Sequence, residues 1–289
     1  MTADHLPPGR TTPVRPLLDA AALSEYARRP GHIWRQISVA ERTGSTNADL
    51  VDQARAGAPE GLVLVAEEQV AGRGRMGRAW VSPPRAALTF SVLLRPDGVP
   101  PARLGWLPLL AGVATAGALH QVSGLDVQLK WPNDVLVGPR KLAGILAEAS
   151  GGAVVVGIGL NVSTVRDELP APGPSAPGPG PGALAATSLL LEGAVSLDRD
   201  LLLRRVLDEL EHWYLAWRSA ASPGDPAGSG LRSEYLRLCS TIGRDVRVEL
   251  PAGQVIEGTA ADVDADGRLV VSGPDGRAAV GAGDVRHVR

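Results

Sequence analysis

"VQLKWPNDVLVGPRKLAGILAEASGGAVVVGIGLNVS" occupies Val127–Ser163, and three of its segments have the composition of β-strands. The segments are short and rich in Val, Ile and Leu, and glycines or a proline separate them. They cover Val127–Pro132, Lys141–Ser150 and Ala153–Ser163. This region therefore predicts neighbouring strands in the sheet of the main domain.

The residues on either side of this stretch add strands and helices to the same domain. Strand-like runs cover His32–Glu41, Gly61–Glu67 and Ala87–Pro96. Helical patterns cover Gly44–Gly57, Pro101–Val122 and Leu197–Ala220, and the last is strongly amphipathic. We therefore predict an α+β fold, with a mixed β-sheet and packed helices.

The pattern changes at about Thr241, where short alternating runs are separated by Gly- and Asp-containing turns. This predicts a second domain, a small C-terminal β-barrel over residues 241–289. We assign residues 31–240 to the main domain and expect the proline-rich residues 1–30 to be a loose segment. The Pro/Gly-rich run Leu169–Gly182 predicts a mobile surface insertion.

The composition excludes several classes of protein. The chain has 289 residues, net charge −2 and 44% hydrophobic residues, which is typical of a soluble globular protein. The single cysteine, Cys239, cannot form an internal disulfide and indicates a reducing compartment. The N-terminus has no apolar segment of the signal-peptide type, so we expect a cytoplasmic protein. Trp106–Leu119 is too short to cross a membrane and predicts a buried helix.

Lysine and asparagine are unusually rare, and their positions point to function. The only lysines are Lys130 and Lys141, and the only asparagines are Asn47, Asn133 and Asn161. All five fall in three short motifs near glycines. Because arginine replaces lysine on most solvated faces, a retained lysine indicates a site that needs a compact ammonium group.

A glycine-rich loop carries concentrated positive charge, since Gln69–Pro96 contains five arginines and no acid. Its "GRGRMG" matches G-x-G-x-x-G formally, but Trp80 and two prolines follow where a dinucleotide fingerprint needs a helix. Neither lysine has Walker A spacing. The loop remains a flexible cationic connection whose arginines suit phosphate or carboxylate, and nucleic-acid binding would use the same charge.

Five motifs in order resemble those of the biotin protein ligases. They are "STN" at Ser45–Asn47, "GRGRMGRAW" at Gly72–Trp80 preceded by Gln69, "KWPND" at Lys130–Asp134, "KLAGIL" at Lys141–Leu146 and "GIGLN" at Gly157–Asn161. The resemblance covers Gly31–Val162 densely and the C-terminal domain by architecture. It implies the class II synthetase-like fold of biotin and lipoate ligases with an SH3-like C-terminal barrel.

The resemblance also implies a two-step reaction. Biotin and ATP give biotinyl-5′-adenylate with Mg²⁺, and a lysine of a biotin carboxyl carrier protein then takes the biotinyl group. Lys141 and Arg75 are implied to be catalytic, with no protein-held metal. The implied biotin site comprises Ser45, Thr46, Asn47, Gln69, Gly72, Arg73, Gly74, Arg75, Lys141 and Gly144. The implied ATP site comprises Arg73, Arg75, Trp80, Lys130, Asn133, Asp134 and Asn161.

Each of these assignments has a structural alternative. Ser45–Asn47 could only cap a helix, Asn133 and Asp134 suit an ordinary turn, and Trp80 could be a core residue. For Lys141 the alternative is weak, because a lysine among apolar strand residues needs a partner.

Two other functions stay open at this point. A lipoate or octanoate ligase or transferase would share the fold and the lysine, but it would not need the "GRGRxGRxW" motif. A nucleic-acid-binding module would need a basic C-terminal domain, whereas residues 241–289 carry more acids than arginines. Some family members begin with a DNA-binding winged helix, and the proline-rich start predicts none here. We therefore expect no DNA or membrane partner, and the sequence leaves monomer or weak dimer open.

Overall fold

Seven strands form the large sheet in the computed structural model, which describes residues 13–170, 184–250, 253–274 and 276–288. They are β1 (Gln36–Ala40), β2 (Leu62–Ala66), β3 (Ala87–Leu94), β4 (Val127–Lys130), β5 (Asp134–Val137), β6 (Arg140–Ser150) and β7 (Ala153–Asn161). Their order is β1-β2-β3-β7-β6-β5-β4. Only β1 and β2 pair in parallel among these strands, so the sheet is mixed, as predicted. Asn133 lies in a turn, as the structural alternative expected, whereas Asp134 begins β5, a strand that the sequence did not predict.

Five α-helices accompany the strands in the described residues. They are α1 (Ala20–Ala27), α2 (Thr46–Arg55), α3 (Trp106–Ser123), α4 (Arg199–Arg218) and α5 (Leu231–Leu238). Helix α3 is buried along most of its length and packs against α4 and the sheet, which confirms the predicted buried helix. By length and composition it could cross a membrane, but about two thirds of it is buried inside the protein. Asp198 is the N-cap of α4, and its carboxylate accepts the N–H groups of Asp200 and Leu201.

Helix α2 lies against β3, β6 and β7, with Leu50, Val51 and Ala54 packed on apolar side chains of the sheet. The N-terminus of α2 begins beside the region that will form the cavity. The orientation of α2 therefore places the "STN" motif, at its N-terminus, over the middle strands of the sheet.

The N-terminal segment differs from the expectation of a loose chain. Residues 1–12 lie outside the described residues, but α1 follows within residues 13–30, capped by the side chain of Asp19. Leu23 and Tyr26 are almost fully buried in the main core. Because the first residues are rich in proline, the sequence did not reveal that this segment packs apolar side chains into the core. Most of the predicted insertion Leu169–Gly182 also lies outside the described residues.

The C-terminal domain is a five-stranded antiparallel sheet, which confirms the predicted small β domain. Its strands are β8 (Asp245–Glu249), β9 (Val255–Val263), β10 (Leu269–Gly273), β11 (Gly276–Val280) and β12 (Asp284–His287). They follow the order β11-β10-β9-β8-β12, and no closing pair between β11 and β12 occurs within the described strands. The domain is thus an open form of the SH3-like barrel.

The turn Asp264–Gly267 docks the C-terminal domain on the main domain. The indole N–H of Trp106 donates to the carbonyls of Asp264 and Ala265 at 3.2 and 3.0 Å. The indole N–H of Trp131 donates to the carbonyl of Gly267 at 3.0 Å. Both indoles are nearly fully buried, so these bonds fix the domain next to β4 and β5.

Candidate active site

A cavity of about 400 Å³ opens over β3, β7 and β6, between the sheet, the arginine loop (Gly72–Trp80) and the C-terminal domain. Fourteen of the residues predicted from the sequence line it: Ser45, Thr46, Asn47, Gln69, Arg73, Gly74, Arg75, Trp80, Lys130, Asn133, Asp134, Lys141, Gly144 and Asn161. Gly72 is the predicted residue that lies outside the lining. It is buried behind the loop, where a Cβ atom would lie 2.4 Å from the Trp80 carbonyl oxygen.

The "GIGLN" motif forms the floor of the cavity because alternate strand residues face the same side. A Cβ on Gly157 would lie 2.1 Å from Oδ1 of Asn47, and a Cβ on Gly159 would lie 2.4 Å from the Trp80 ring. The two glycines therefore make room for side chains that arrive from α2 and from the arginine loop. Asn161 completes the row, with its Nδ2 donating to the Thr187 carbonyl at 2.9 Å.

A chain of hydrogen-bonded polar side chains borders one end of the cavity. We call it the polar chain, and it consists of Gln69, Thr46, Ser91, Asn47 and Glu148. Oε1 of Gln69 accepts the backbone N–H of Thr46 at 2.8 Å, so Gln69 caps the first turn of α2. Ser45 holds the N-cap position without a side-chain capping bond. Ser45 therefore occupies the N-cap position that the structural alternative expected, but its hydroxyl does not make the capping hydrogen bond.

Trp80 lies across the middle of the floor. Its ring is close to Gly159 and Gly144, which are paired across β7 and β6, and Gly144 is also close to Nζ of Lys141. The indole N–H is buried without a hydrogen-bond partner among the described residues. A buried donor of this kind is costly unless a ligand supplies an acceptor. Trp80 is therefore a cavity wall rather than a residue of the main core.

Lys141 and Asp134 form an ion pair at the other end of the floor, with 2.6 Å between Nζ and Oδ1. Lys141 is the second residue of β6, and its backbone forms hydrogen bonds with the backbone of Ala185 and Thr187. The partner that a lysine among apolar residues requires is therefore Asp134. The ammonium group retains donors for a ligand, because an ammonium has three N–H bonds.

Two further cations lie at this end of the cavity, and Lys130 joins the main domain to the C-terminal domain. Arg75 donates to Oδ1 of Asn133 at 3.2 Å, and Lys130 donates to the Val285 carbonyl at 2.6 Å. Burial lowers the pKa of the Lys130 ammonium, with a contribution from the charge of Lys141, while Asp134 acts in the opposite direction. Burial likewise lowers the pKa of Arg75. Removing these cations from water prepares them for an anionic ligand.

The arginine loop is anchored at its far end and exposed in the middle. Arg78 contacts both carboxylate oxygens of Asp284 on β12, whereas Arg73 is exposed. Within the loop, the backbone N–H of Trp80 donates to the Gly72 carbonyl at 2.8 Å. The C-terminal domain therefore takes part in shaping the loop.

The structure adds cavity residues that sequence reasoning missed. Gly157 and Gly159 were visible in the motif, but only Asn161 had been assigned. Behind the lining, the fully buried Ser91 had a weaker signal, as a polar residue inside the apolar strand β3. Nothing in the local sequence marked the lining residues of the C-terminal domain, which are Glu249, Gly283, Asp284, Val285 and Arg286. The described residues contain no group of three or more His, Cys, Asp or Glu side chains that could hold a metal ion.

Together these features define an elongated pocket with a neutral polar end, an aromatic middle and a cationic end, on a mixed sheet next to a small β domain. Residues 39–164 match the model of the biotin/lipoate A/B protein ligase family, so the class is that of a biotin or lipoate ligase. Residues 241–288 match the biotin protein ligase C-terminal domain.

The full chain resembles two bacterial enzymes. It is 42% identical over 280 residues to the biotin–[acetyl-CoA-carboxylase] ligase of Mycobacterium tuberculosis, covering 96% of this chain and 98% of that one. It is 33% identical to the enzyme of the same description from Paracoccus denitrificans, over 84% of this chain and 97% of that one. This chain belongs to the biotin protein ligase family.

A solved structure supports the fold over nearly the same length. The biotin protein ligase of Aquifex aeolicus in complex with biotin and ATP has a TM-score of 0.70 and 25% identity. The match covers 88% of this chain and all of that one.

Proposed function

We propose that this protein activates biotin with ATP to biotinyl-5′-adenylate and transfers the biotinyl group to a lysine of a biotin carboxyl carrier protein. The observation that carries the proposal is the spacing of the two ends of the cavity. The polar chain meets β7 at Gly157, and the cationic end meets it at Asn161. Four residues of strand span about 13 Å. This length suits an elongated ligand with a cyclic urea at one end and a carboxylate at the other.

The polar end would hold the cyclic urea. Ser45, Thr46 and Gln69 line this end, and Ser45 and Thr46 are almost fully buried. A ureido group has polar atoms that lose free energy if they are buried without partners. The apolar chain of biotin would then pass along Trp80, and the carboxylate would reach Lys141.

Lys141 is placed to assist adenylation. In this step a biotin carboxylate oxygen forms a bond to the α-phosphorus of ATP, and the bond from that phosphorus to pyrophosphate breaks. The two reactants are both anionic, so cations must screen their repulsion and stabilise the charge of the transition state. Lys141 would contact the carboxylate and the α-phosphate together. The ion pair with Asp134, at 2.6 Å, holds the ammonium group at the cavity floor.

Arg75, Lys130 and Arg73 are proposed to bind the phosphates, with Asn133 holding Arg75 in place. Trp80 is proposed to contact the adenylate. In the second step the amine of the carrier lysine attacks the acyl carbon, and AMP leaves. Closure of the arginine loop would keep water from the mixed anhydride.

Mg²⁺ fits this site as an ion that arrives on the nucleotide. Magnesium is commonly bound through one or two carboxylates and the substrate phosphates. Asp134, at the floor of the cavity, could contribute a carboxylate to the ion. Its ion pair with Lys141 places it beside the proposed phosphate position. The ion would neutralise phosphate charge. We also propose a cytoplasmic location, since the carrier protein and ATP occur there.

Pyrophosphate release tests the activity directly. We expect release from ATP when biotin and Mg²⁺ are present, before any acceptor protein is added. Release with lipoate or octanoate but not with biotin would assign the protein to the related lipoate chemistry instead.

The absence of sequence-specific DNA binding is a separate prediction. Nanomolar, salt-resistant binding to one duplex would contradict the expectation of no operator recognition.

A further inference from the structure

A short segment from a distant part of the chain lies beside the first residues of β6, and we call residues 184–189 the backing segment. The pairing of β6 with β7 starts only at Ala143. Before that point Ala186 pairs with Lys141 in parallel. The N–H of Lys141 donates to the Ala185 carbonyl, and the N–H of Thr187 donates to the Lys141 carbonyl, both at 2.8 Å. The backing segment therefore fixes the backbone of Lys141 on this side.

The backbone of Thr187 connects two residues of the candidate site. Its N–H donates to the carbonyl of Lys141, and its carbonyl accepts Nδ2 of Asn161 at 2.9 Å. Lys141 lies on β6 and Asn161 ends β7, so a single residue helps to set the distance between them. Ala186 lines the cavity, whereas Thr187 is only 2% exposed and lies behind the described lining.

The side chains of Thr187, Glu192 and Arg140 hold the backing segment against β6. The Thr187 hydroxyl donates to Oε1 of Glu192, and Arg140 donates to Oε2 of Glu192 at 2.6 Å. The Glu192 side chain is only 7% exposed, and each of its oxygens has a donor. An ionised carboxylate only accepts hydrogen bonds, and its bonds are stronger than those between neutral groups. Loss of either partner would therefore loosen the backing segment.

The end of β6 carries one ion pair on each face. Successive side chains of a strand point to opposite faces of the sheet. Arg140 pairs with Glu192 behind the cavity, and the next residue, Lys141, pairs with Asp134 at the cavity floor, each at 2.6 Å. The position of the Lys141 ammonium group thus depends on contacts made on the other side of the strand.

We propose that Thr187 and Glu192 are positioning residues for adenylation, which hold the end of β6 so that Nζ of Lys141 reaches the biotin carboxylate and the α-phosphate together. They act through the backbone of Lys141 and not by contact with a ligand. A displacement of about 1 Å, caused by a residue remote from the chemistry, can reduce a rate about a hundredfold. This inference rests on the proposed function, because it identifies what places the lysine of that reaction.

The position of Lys141 can be observed directly by NMR, because the chain contains only two lysines. The full chain labelled with ¹³C at the lysine ε-carbons gives two side-chain signals, and Lys130→Arg identifies them. Thr187→Val removes the hydroxyl at similar shape, and Glu192→Gln removes the charge. We expect both variants to shift or broaden the Lys141 signal. The Lys130 signal should stay in place, because Lys130 donates to the Val285 carbonyl instead.

The same two variants should lower kcat for biotin-dependent pyrophosphate release about 10- to 100-fold. KM for biotin should stay near the wild-type value, since the polar chain is unchanged. Thr187→Ser keeps the hydroxyl and should restore both the Lys141 signal and kcat. Thr115→Val is the matched control, because Thr115 is fully buried and its hydroxyl donates to the Ala111 carbonyl within α3 at 2.7 Å. This control should lower the melting temperature and leave the Lys141 signal and kcat unchanged.

An unchanged Lys141 signal or an unchanged kcat in Thr187→Val and Glu192→Gln overturns the inference, as does an equal loss in Thr115→Val. If Thr187→Val does not fold, Glu192→Gln and Thr187→Ser decide the question. Absence of pyrophosphate release by the wild type with biotin would contradict the proposed function. The lysine signals would then still show whether Thr187 and Glu192 hold Lys141 in place.

Discussion

At the scale of single residues, the two lysines of the chain have different partners and therefore different tasks. Lys141 is paired with a carboxylate at the cavity floor, while Lys130 donates to a backbone carbonyl of the C-terminal domain. A compact ammonium can contact Asp134 and still direct donors to two further anions. We therefore propose that the geometry of Lys141 matters most for adenylation, whereas Lys130 connects the cationic end to β12.

Lys141→Arg should abolish most adenylation while leaving the fold intact. The guanidinium group keeps the charge, but it is larger and planar and directs its donors differently. Loss of a well-placed donor to developing charge costs about a hundred- to a thousandfold in rate. The measurements are the initial rate of pyrophosphate release and the melting temperature. Arg28→Lys at the exposed end of α1 is the control. Near-normal turnover of Lys141→Arg would transfer the catalytic assignment to Lys130.

His287 gives the molecule a pH dependence of stability. Burial, together with the charges of Lys130 and Arg244, lowers its pKa to about 4. The unfolded chain binds a proton at this histidine near its ordinary pKa of about 6.5, whereas the folded chain does not. Stability is therefore complete above about pH 6.5 and falls as the pH decreases towards 4.

His287→Gln should remove this contribution to the pH dependence of stability. Since the histidine is half-buried, solvent screening keeps the effect small, and we expect a difference of about 1 kcal/mol between the pH profiles. Unfolding by urea at pH 7.5 and pH 4.5 measures it. Carboxylates titrate in both proteins and cancel in the comparison. Parallel profiles for the two proteins would contradict the expected loss.

At the scale of elements, the cavity depends on three antiparallel strands that place small and polar residues in matching rows. Ser91 pairs with Gly157, and Gly159 pairs with Gly144. One row therefore accommodates the polar chain and the next accommodates Trp80. The arginine loop completes the site from above, and its contact with β12 connects loop and C-terminal domain.

Asp284→Asn should loosen the arginine loop. Arg78 loses its charged partner, although the pair is more than a third exposed and each side contributes modestly to overall stability. We expect faster tryptic cleavage after Arg73, Arg75 or Arg78 in the free protein, and protection of these bonds when biotin and ATP are added. Asp262→Asn, which removes a similarly exposed pair with Arg232, is the control. Equal cleavage rates for wild type and Asp284→Asn would show that Asp284 does not hold the loop.

The sequence predicted what is local and missed what depends on distant contacts. Strands β3, β6 and β7 and helices α3 and α4 follow from periodicity and capping. The cavity residues of the motifs Lys130–Asp134, Lys141–Leu146 and Gly157–Asn161 cluster because these motifs lie on or between neighbouring strands. Helix α1 was missed because Leu23 and Tyr26 become interpretable only when their partners on α4 and the sheet are known. Asn47 was assigned to ligand binding, whereas its amide already bonds to Ser91, Leu146 and Glu148. Its role as a direct biotin contact stays a prediction.

At the scale of the whole molecule, the C-terminal domain is a fixed wall of the cavity. Its turn Asp264–Gly267 occupies the surface around Trp106 and Trp131, and β12 contributes Asp284 and the Val285 carbonyl to the cationic end. Displacing the turn would expose two indoles and separate Lys130 from its acceptor. Domain docking and the phosphate end of the cavity are therefore linked.

Gly267→Ala tests this link, because Gly267 has φ of +80° and its Cβ would lie 2.8 Å from the Gly105 carbonyl group. Gly253 has φ of +82° with open space around its Cβ position, so Gly253→Ala carries the backbone strain without the clash. That strain costs about 1–2 kcal/mol in either variant. The clash can be relieved only by moving the turn away from α3. Gly267→Ala should therefore have the lower melting temperature of the two and should raise KM for ATP more than KM for biotin. Equal melting temperatures and unchanged KM values in both variants would mean that the C-terminal domain can shift without disturbing the cationic end of the cavity.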